Sequence, residues 1–223
     1  MSSKIEFCYL SDRPNQEILF SAISTLLNYN VTYNEYIPGE YSYRLHGPGG
    51  QLGESNTVTE KGSEICKTAE ELAPILNLLA IKFSPTLTMG TGWHKNHHKW
   101  VISICESGNI WKKVKISIDG YEFFRSLNSF QRGRIADTLL EIFYKIAQNI
   151  EPYYGFAALD LNSIPVAPER LQIDAGSIGD FSYFSKDFML QVDLSAFQKN
   201  HVVRELPDGT ALLHKKEGVF NLI

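Results

Sequence analysis

The sequence predicts an α+β fold: an N-terminal β-α-β unit, then an antiparallel meander sheet packed against two or three helices. Three observations carry that expectation. In the first forty residues, "KIEFCYL" and "NVTYNEYI" flank a stretch whose Ile18, Leu19, Ala22, Ile23, Leu26 and Leu27 recur at three- and four-residue spacing. From Trp100, "WVISIC" and "IWKKVKISI" alternate in period two on either side of the turn "ESGN". Past residue 129, Ile135, Leu139, Ile142, Phe143, Ile146 and Ile150 form one broad helical stripe.

Taken in order, "KIEFCYL" is the first strand. Ser11 or Asp12 supplies a capping oxygen, and Pro14 fits the first helical turn, where its missing N–H costs nothing. The helix closes at Asn28–Asn30, and "NVTYNEYI" follows as the second strand. Residues 38–67, with "YRLHGPGGQLGESNTVTEKGSE", read as a long exposed loop that holds at most a short hairpin. Thr68 and Glu71 form a capping box ahead of Leu72, Ile75, Leu76 and Leu79. In the meander, Trp100, Ile102 and Ile104 point one way and Val101, Ser103 and Cys105 the other. Val114, Ile116 and Ile118 face inward from the partner strand, and Asp119-Gly120 turns the chain before "YEFF". Ser129 caps the strongest helix and Pro152 ends it. "YYGFAALDL" is a buried strand, and "GDFSYFSKDFM" and "HVVRELPDGTALLHKKEGVF" are closing β segments, the last a hairpin around "PDG". With no repeats and no linker between two cores, residues 1–223 are expected to form a single domain.

Composition excludes several classes. Apolar residues make up 43% and charged residues 21%, which is ordinary for a globular chain and too apolar for disorder. A net charge of −4 lacks the basic excess of a nucleic-acid binder, and Lys112, Lys113 and Lys115 in "IWKKVK" fit the exposed side of a strand. Cys8, Cys66 and Cys105 stand far apart with no CxxC pair, so each is expected as a small buried apolar residue in a reducing compartment. No apolar run has the length of a signal peptide or a membrane span. The expected location is cytoplasmic, with no membrane and no nucleic acid as partner and with oligomeric state left open.

Few residues carry chemistry. "HGPGGQLGES" lacks the Lys-Ser/Thr dipeptide of a P-loop, and Leu52 stands where a dinucleotide fingerprint needs its third glycine. No GxSxG elbow surrounds a serine. Asp160, Asp174, Asp180, Asp187 and Asp193 read first as caps, turns or solvated side chains, as do Asp119 and Asp208 before glycines. Tyr153 and Tyr154 are core aromatics first, and a ligand pocket second.

The densest cluster is "TGWHKNHHKW", which sets His94, His97 and His98 between Trp93 and Trp100. Imidazole is a common metal ligand, so His94, His97 and His98 are the candidate metal ligands and a metal ion the only candidate cofactor. The flanking glycines disfavour a helix. In an extended chain His94 and His98 share a face while His97 turns away, leaving His46, His201, His214 or a distant carboxylate to complete a site. The same stretch suits a partner-binding surface of Trp93, His94, His97 and His98, because tryptophan makes a good anchor. A solvated loop between core tryptophans is the third reading.

The passage "EPYYGFAALDLNSIPVAPERL", then "GDFSYFSKDF", then a strand pair around "LPDG" resembles the bacterial small α+β immunity proteins of polymorphic toxins, over residues 130–215. The resemblance lies in element order and turn chemistry. It implies a non-enzymatic binder that blocks a toxin, and it carries over no individual functional residue. The expected function is therefore a non-catalytic cytosolic binding protein, immunity-like, that occludes a toxin or other protein partner. The alternative is a metal-dependent hydrolase or small-molecule enzyme using the His94/His97/His98 region.

Overall fold

A computed structural model describes residues 3–45, 57–93, 96–107, 110–159, 179–217 and 219–221. Its frame is one ten-stranded sheet, antiparallel at every pairing between strands. The strands are β1 (Ile5–Ser11), β2 (Glu40–Arg44), β3 (Thr57–Lys61), β4 (Phe83–Trp93), β5 (Asn96–Ser107), β6 (Trp111–Ile118), β7 (Tyr154–Leu159), β8 (Phe181–Phe184), β9 (His201–Glu205) and β10 (Ala211–Lys215). Across the sheet they run β3-β2-β4-β5-β6-β1-β7-β8-β10-β9. The helices are α1 (Asn15–Asn28), α2 (Ala69–Ala80), α3 (Tyr121–Ser126), α4 (Ser129–Ile150) and α5 (Lys186–Met189).

β1 is the hinge of the packing. All seven of its residues are buried, because its two sides enter two different cores. Ile5, Phe7 and Tyr9 join the larger core with the apolar faces of α1, α2 and α4. Cys8 and Leu10 join a smaller core of Tyr154, Phe156, Phe184, Phe188, Phe197, Ala211 and Leu213 on the other side. That side is capped by α5 and by the 3-10 turn Leu194–Ala196. Every residue of the predicted α4 stripe is buried, and Phe143 stacks on Tyr9 with ring centroids 5.1 Å apart. The Tyr9 hydroxyl donates to the Phe143 carbonyl at 2.9 Å, which satisfies a phenol that burial would otherwise penalise.

The meander forms as expected. Trp100, Ile102 and Ile104 pair with Ile118, Ile116 and Val114 and are buried, while Val101 and Ser103 on the other side are half-buried. The Thr68/Glu71 capping box is present, and so is the hairpin around residues 206–210.

Several expectations change. "NVTYNEYI" is not a strand: Thr32 and Tyr33 make only isolated bridges to Gly90 and Cys66. Asn30 and Asn34 take left-handed φ values of 58° and 61°, which breaks an extended run at both ends. β1 instead lies in mid-sheet between β6 and β7, antiparallel to both, so the first three elements do not make a β-α-β unit. Within residues 38–67, β2 and β3 pair along five residues each and β2 docks on β4, so the hairpin extends the sheet. Residues 46–56 lie outside the described part. "YEFF" opens the short helix α3, and α4 is capped by Asn128, whose side chain accepts from the Gln131 N–H at 2.9 Å, so Ser129 is its first helical residue. Finally, α1 starts after Pro14 without a side-chain cap, and the Ser11 hydroxyl accepts from the Arg13 N–H.

Candidate functional site

The described histidines of the cluster lie on β5, where it pairs with the end of β4. β4 and β5 pair from Thr86/Ser103 to Trp93/Asn96, and strand alternation sorts the side chains. His98 shares the helix-side face with Trp93 and Trp100 and is buried, whereas His97 is exposed and leans on the ring of Tyr36 at 5.7 Å. His97 and His98 thus point to opposite sides of the sheet. His94 lies outside the described residues. Among those described, no three His, Cys, Asp or Glu side chains converge on a point where a metal ion would sit.

Around His98 is an aromatic nest. Its imidazole lies 4.9 Å from the Phe124 ring, 5.2 Å from Phe123 and 5.8 Å from Trp93. Trp93 meets Trp100 edge to face at 5.8 Å and lies 5.8 Å from Phe124. Gly120 makes this possible. Its φ of 112° starts α3 in a conformation that side chains disfavour, and a Cβ there would fall on Nδ1 of His98.

The nest holds Trp93 half-buried, one edge forming the wall of a recess of about 430 Å³. Its other walls come from the first three turns of α4: Asn128, Phe130, Gln131, Arg134, Ile135 and Thr138. Phe130 is 72% exposed, and the Arg134 guanidinium lies 6.0 Å from its ring centroid. Arg134 makes no ion pair among the described residues. Among the described members of the candidate set, Trp93 is the one on the lining of this recess. Phe130 and Arg134 were not anticipated. Their signal was available: at 3.6 residues per turn Phe130 falls roughly 140° from Ile135, off the buried stripe. A large apolar residue there has no folding role.

The remaining candidates resolve into structure. Tyr154 is buried against Phe156 and Phe188, and the Tyr153 hydroxyl accepts from Gln191 Nε2 at 2.9 Å. Asp193 caps a 3-10 turn, Asp208 accepts from the Thr210 N–H and hydroxyl, and Asp119 pairs with Lys4. Asp160 and Asp174 lie outside the described residues. Cys8 is buried, with its thiol pushed up to about 12 chiefly by burial, and so is no nucleophile at neutral pH. Cys66 is buried too, but Cys105 is exposed, because it falls on the polar side of β5 near the strand's end.

A buried polar group sits at the far end of the sheet. Lys215 Nζ approaches Asp180 Oδ1 at 2.6 Å, and His201, paired with Lys215 in register, is 3% exposed. Burial raises the Asp180 carboxyl above its ordinary value and outweighs Lys215. Burial lowers the His201 imidazole below the ordinary value of about 6.5. The two work in opposite senses. Asp180 binds its proton more tightly folded than unfolded, so its contribution is present at low pH and is lost as pH rises. His201 binds its proton less tightly folded, so its contribution is present above about pH 6.5 and is lost as pH falls through its lowered value. The variant His201→Gln keeps a donor for the Gly179 carbonyl, 3.4 Å from Nε2, and cannot charge. Its urea midpoint should fall less between pH 7 and pH 5 than that of the parent. Equal falls would show that His201 does not titrate on unfolding.

No helix among the described residues is long and apolar enough to cross a membrane. No known protein family, curated protein or solved structure matches the chain.

Proposed function

We propose that the chain is a non-catalytic cytosolic binding protein of the immunity type, and that it occludes a toxin or other protein partner through the Trp93–Phe130 recess. The observation that supports this is Phe130, left 72% exposed beside a cavity walled by a second aromatic residue. Exposed aromatic and Arg side chains around a desolvated pocket are the composition of an interface hot spot. The rigid nest of Phe124, His98 and Trp100 beneath Trp93 holds its ring in place before any partner arrives, which reduces the ordering cost of association.

The test is co-expression of the chain with the product of the gene beside its own. Protection of growth, and co-purification of the two proteins, are expected with the parent chain. Phe130→Ala should abolish protection while shifting unfolding free energy by less than about 0.5 kcal/mol, because the side chain is on the surface. A harmless neighbouring product, or full protection by Phe130→Ala, would overturn the reading.

A further inference from the structure

We infer that the occupant of the recess is an acidic peptide segment of the partner, with one aromatic side chain seated between Trp93 and Phe130 and an adjacent carboxylate on Arg134. The inference rests on the binding reading above and adds the partner's chemistry to it. Trp93, Phe130 and Ile135 supply the apolar part of the lining, and its two aromatic rings favour an aromatic guest through stacked or edge contacts.

The polar rim narrows the choice further. The Asn128 side chain accepts from the Gln131 N–H, and the Gln131 side chain accepts from the Asn128 N–H, so both are engaged in the capping box. The Thr138 hydroxyl donates to the Arg134 carbonyl at 2.8 Å. What remains for a ligand is the side-chain N–H donors of Asn128 and Gln131 and the Arg134 guanidinium, the one charged group on the lining.

Glu122, the acid just ahead of the recess, lies 3.9 Å from Arg125. Asp137 and Glu141 follow on the exposed side of α4, but neither lines the recess and neither pairs with Arg134 among the described residues. The recess itself therefore presents a single, positive charge, which is complementary to a carboxylate. A planar guanidinium in an apolar wall pairs best with a carboxylate.

The probe is an acetylated, amidated pentapeptide with two acidic residues on each side of a phenylalanine, titrated calorimetrically into the full chain. Binding should exceed that of the same peptide with its four acids amidated by about tenfold. It should weaken in high salt and shift the amide resonances of Ile135 and Thr138. Arg134→Gln should erase the preference, so that the two peptides bind alike. Replacing the phenylalanine with alanine should abolish binding. Equal affinity for the two peptides, a preference that survives Arg134→Gln, or no binding of either at millimolar concentration would each overturn the inference. These outcomes are separable from the growth assay. Protection that depends on Phe130 but not on acidic character leaves the binding reading standing and removes only the acidic segment.

Discussion

Phe143→Ala should lower the unfolding free energy by about 3–5 kcal/mol, read as a shift of the urea midpoint at unchanged slope. Phe143 is fully buried on α4 and touches two strands at once. Its ring meets Phe7 edge to face at 5.5 Å, stacks on Tyr9 at 5.1 Å and lies 6.0 Å from Phe181. Those partners are on β1 and β8, each hydrogen-bonded to a strand on both sides, which limits how far they can close on the space left behind. Gly155 beneath the Tyr9 ring prevents rescue by sliding, since that ring already fills the room a side chain on β7 would occupy. A cost under about 1 kcal/mol would mean that α4 does not seat here.

Gly120→Ala should cost about 2–5 kcal/mol, from two sources of different kind. One is backbone: at φ 112° a residue with a Cβ is strained wherever it sits. The other is contact, because the new methyl meets the imidazole of His98, itself held between Phe123 and Phe124. A double-mutant cycle separates them. In a His98→Ala background the contact part disappears and only strain remains, so the double variant should lose less than the sum of the two single variants. Strict additivity would show that the methyl never reaches the ring. Because the same nest supports Trp93, Gly120→Ala should also weaken partner binding, whereas Phe143→Ala should do so only in proportion to unfolding.

The meander and the three long helices were legible because each carries its own periodicity. Ile135 through Ile150 mark one face of α4, and Trp100/Ile102/Ile104 one face of β5, without reference to any other segment. The β-α-β expectation failed where local pattern was ambiguous. "NVTYNEYI" is β-rich in composition, yet two asparagines with positive φ and the bridges of Thr32 to Gly90 and Tyr33 to Cys66 hold it as a connector. Strand order was equally hidden. Nothing in "KIEFCYL" states that its partners are residues 111–118 and 154–159, since pairing at that separation is decided by which faces must be covered. At the site, Trp93 was marked by its neighbours in sequence, and the divergence of His97 from His98 follows from strand alternation alone. Phe130 and Arg134 were not legible because the exposed face of a helix carries no periodic signal, and only their departure from the buried stripe sets them apart.

The placement of β1 has a consequence for how the chain is made. β1 waits long for both of its neighbours in the sheet. Its partner β6 arrives a hundred residues later, and β7, on the other side, only once Leu159 has been synthesised. Until then Ile5–Ser11, apolar on both sides, has an edge without hydrogen-bond partners. Pairings of such sequence separation slow folding and lengthen the interval in which sticky surface is open to other molecules. During that interval Ile5–Ser11 is uncovered sticky surface, and a chaperone that engages emerging chains would find a handle there.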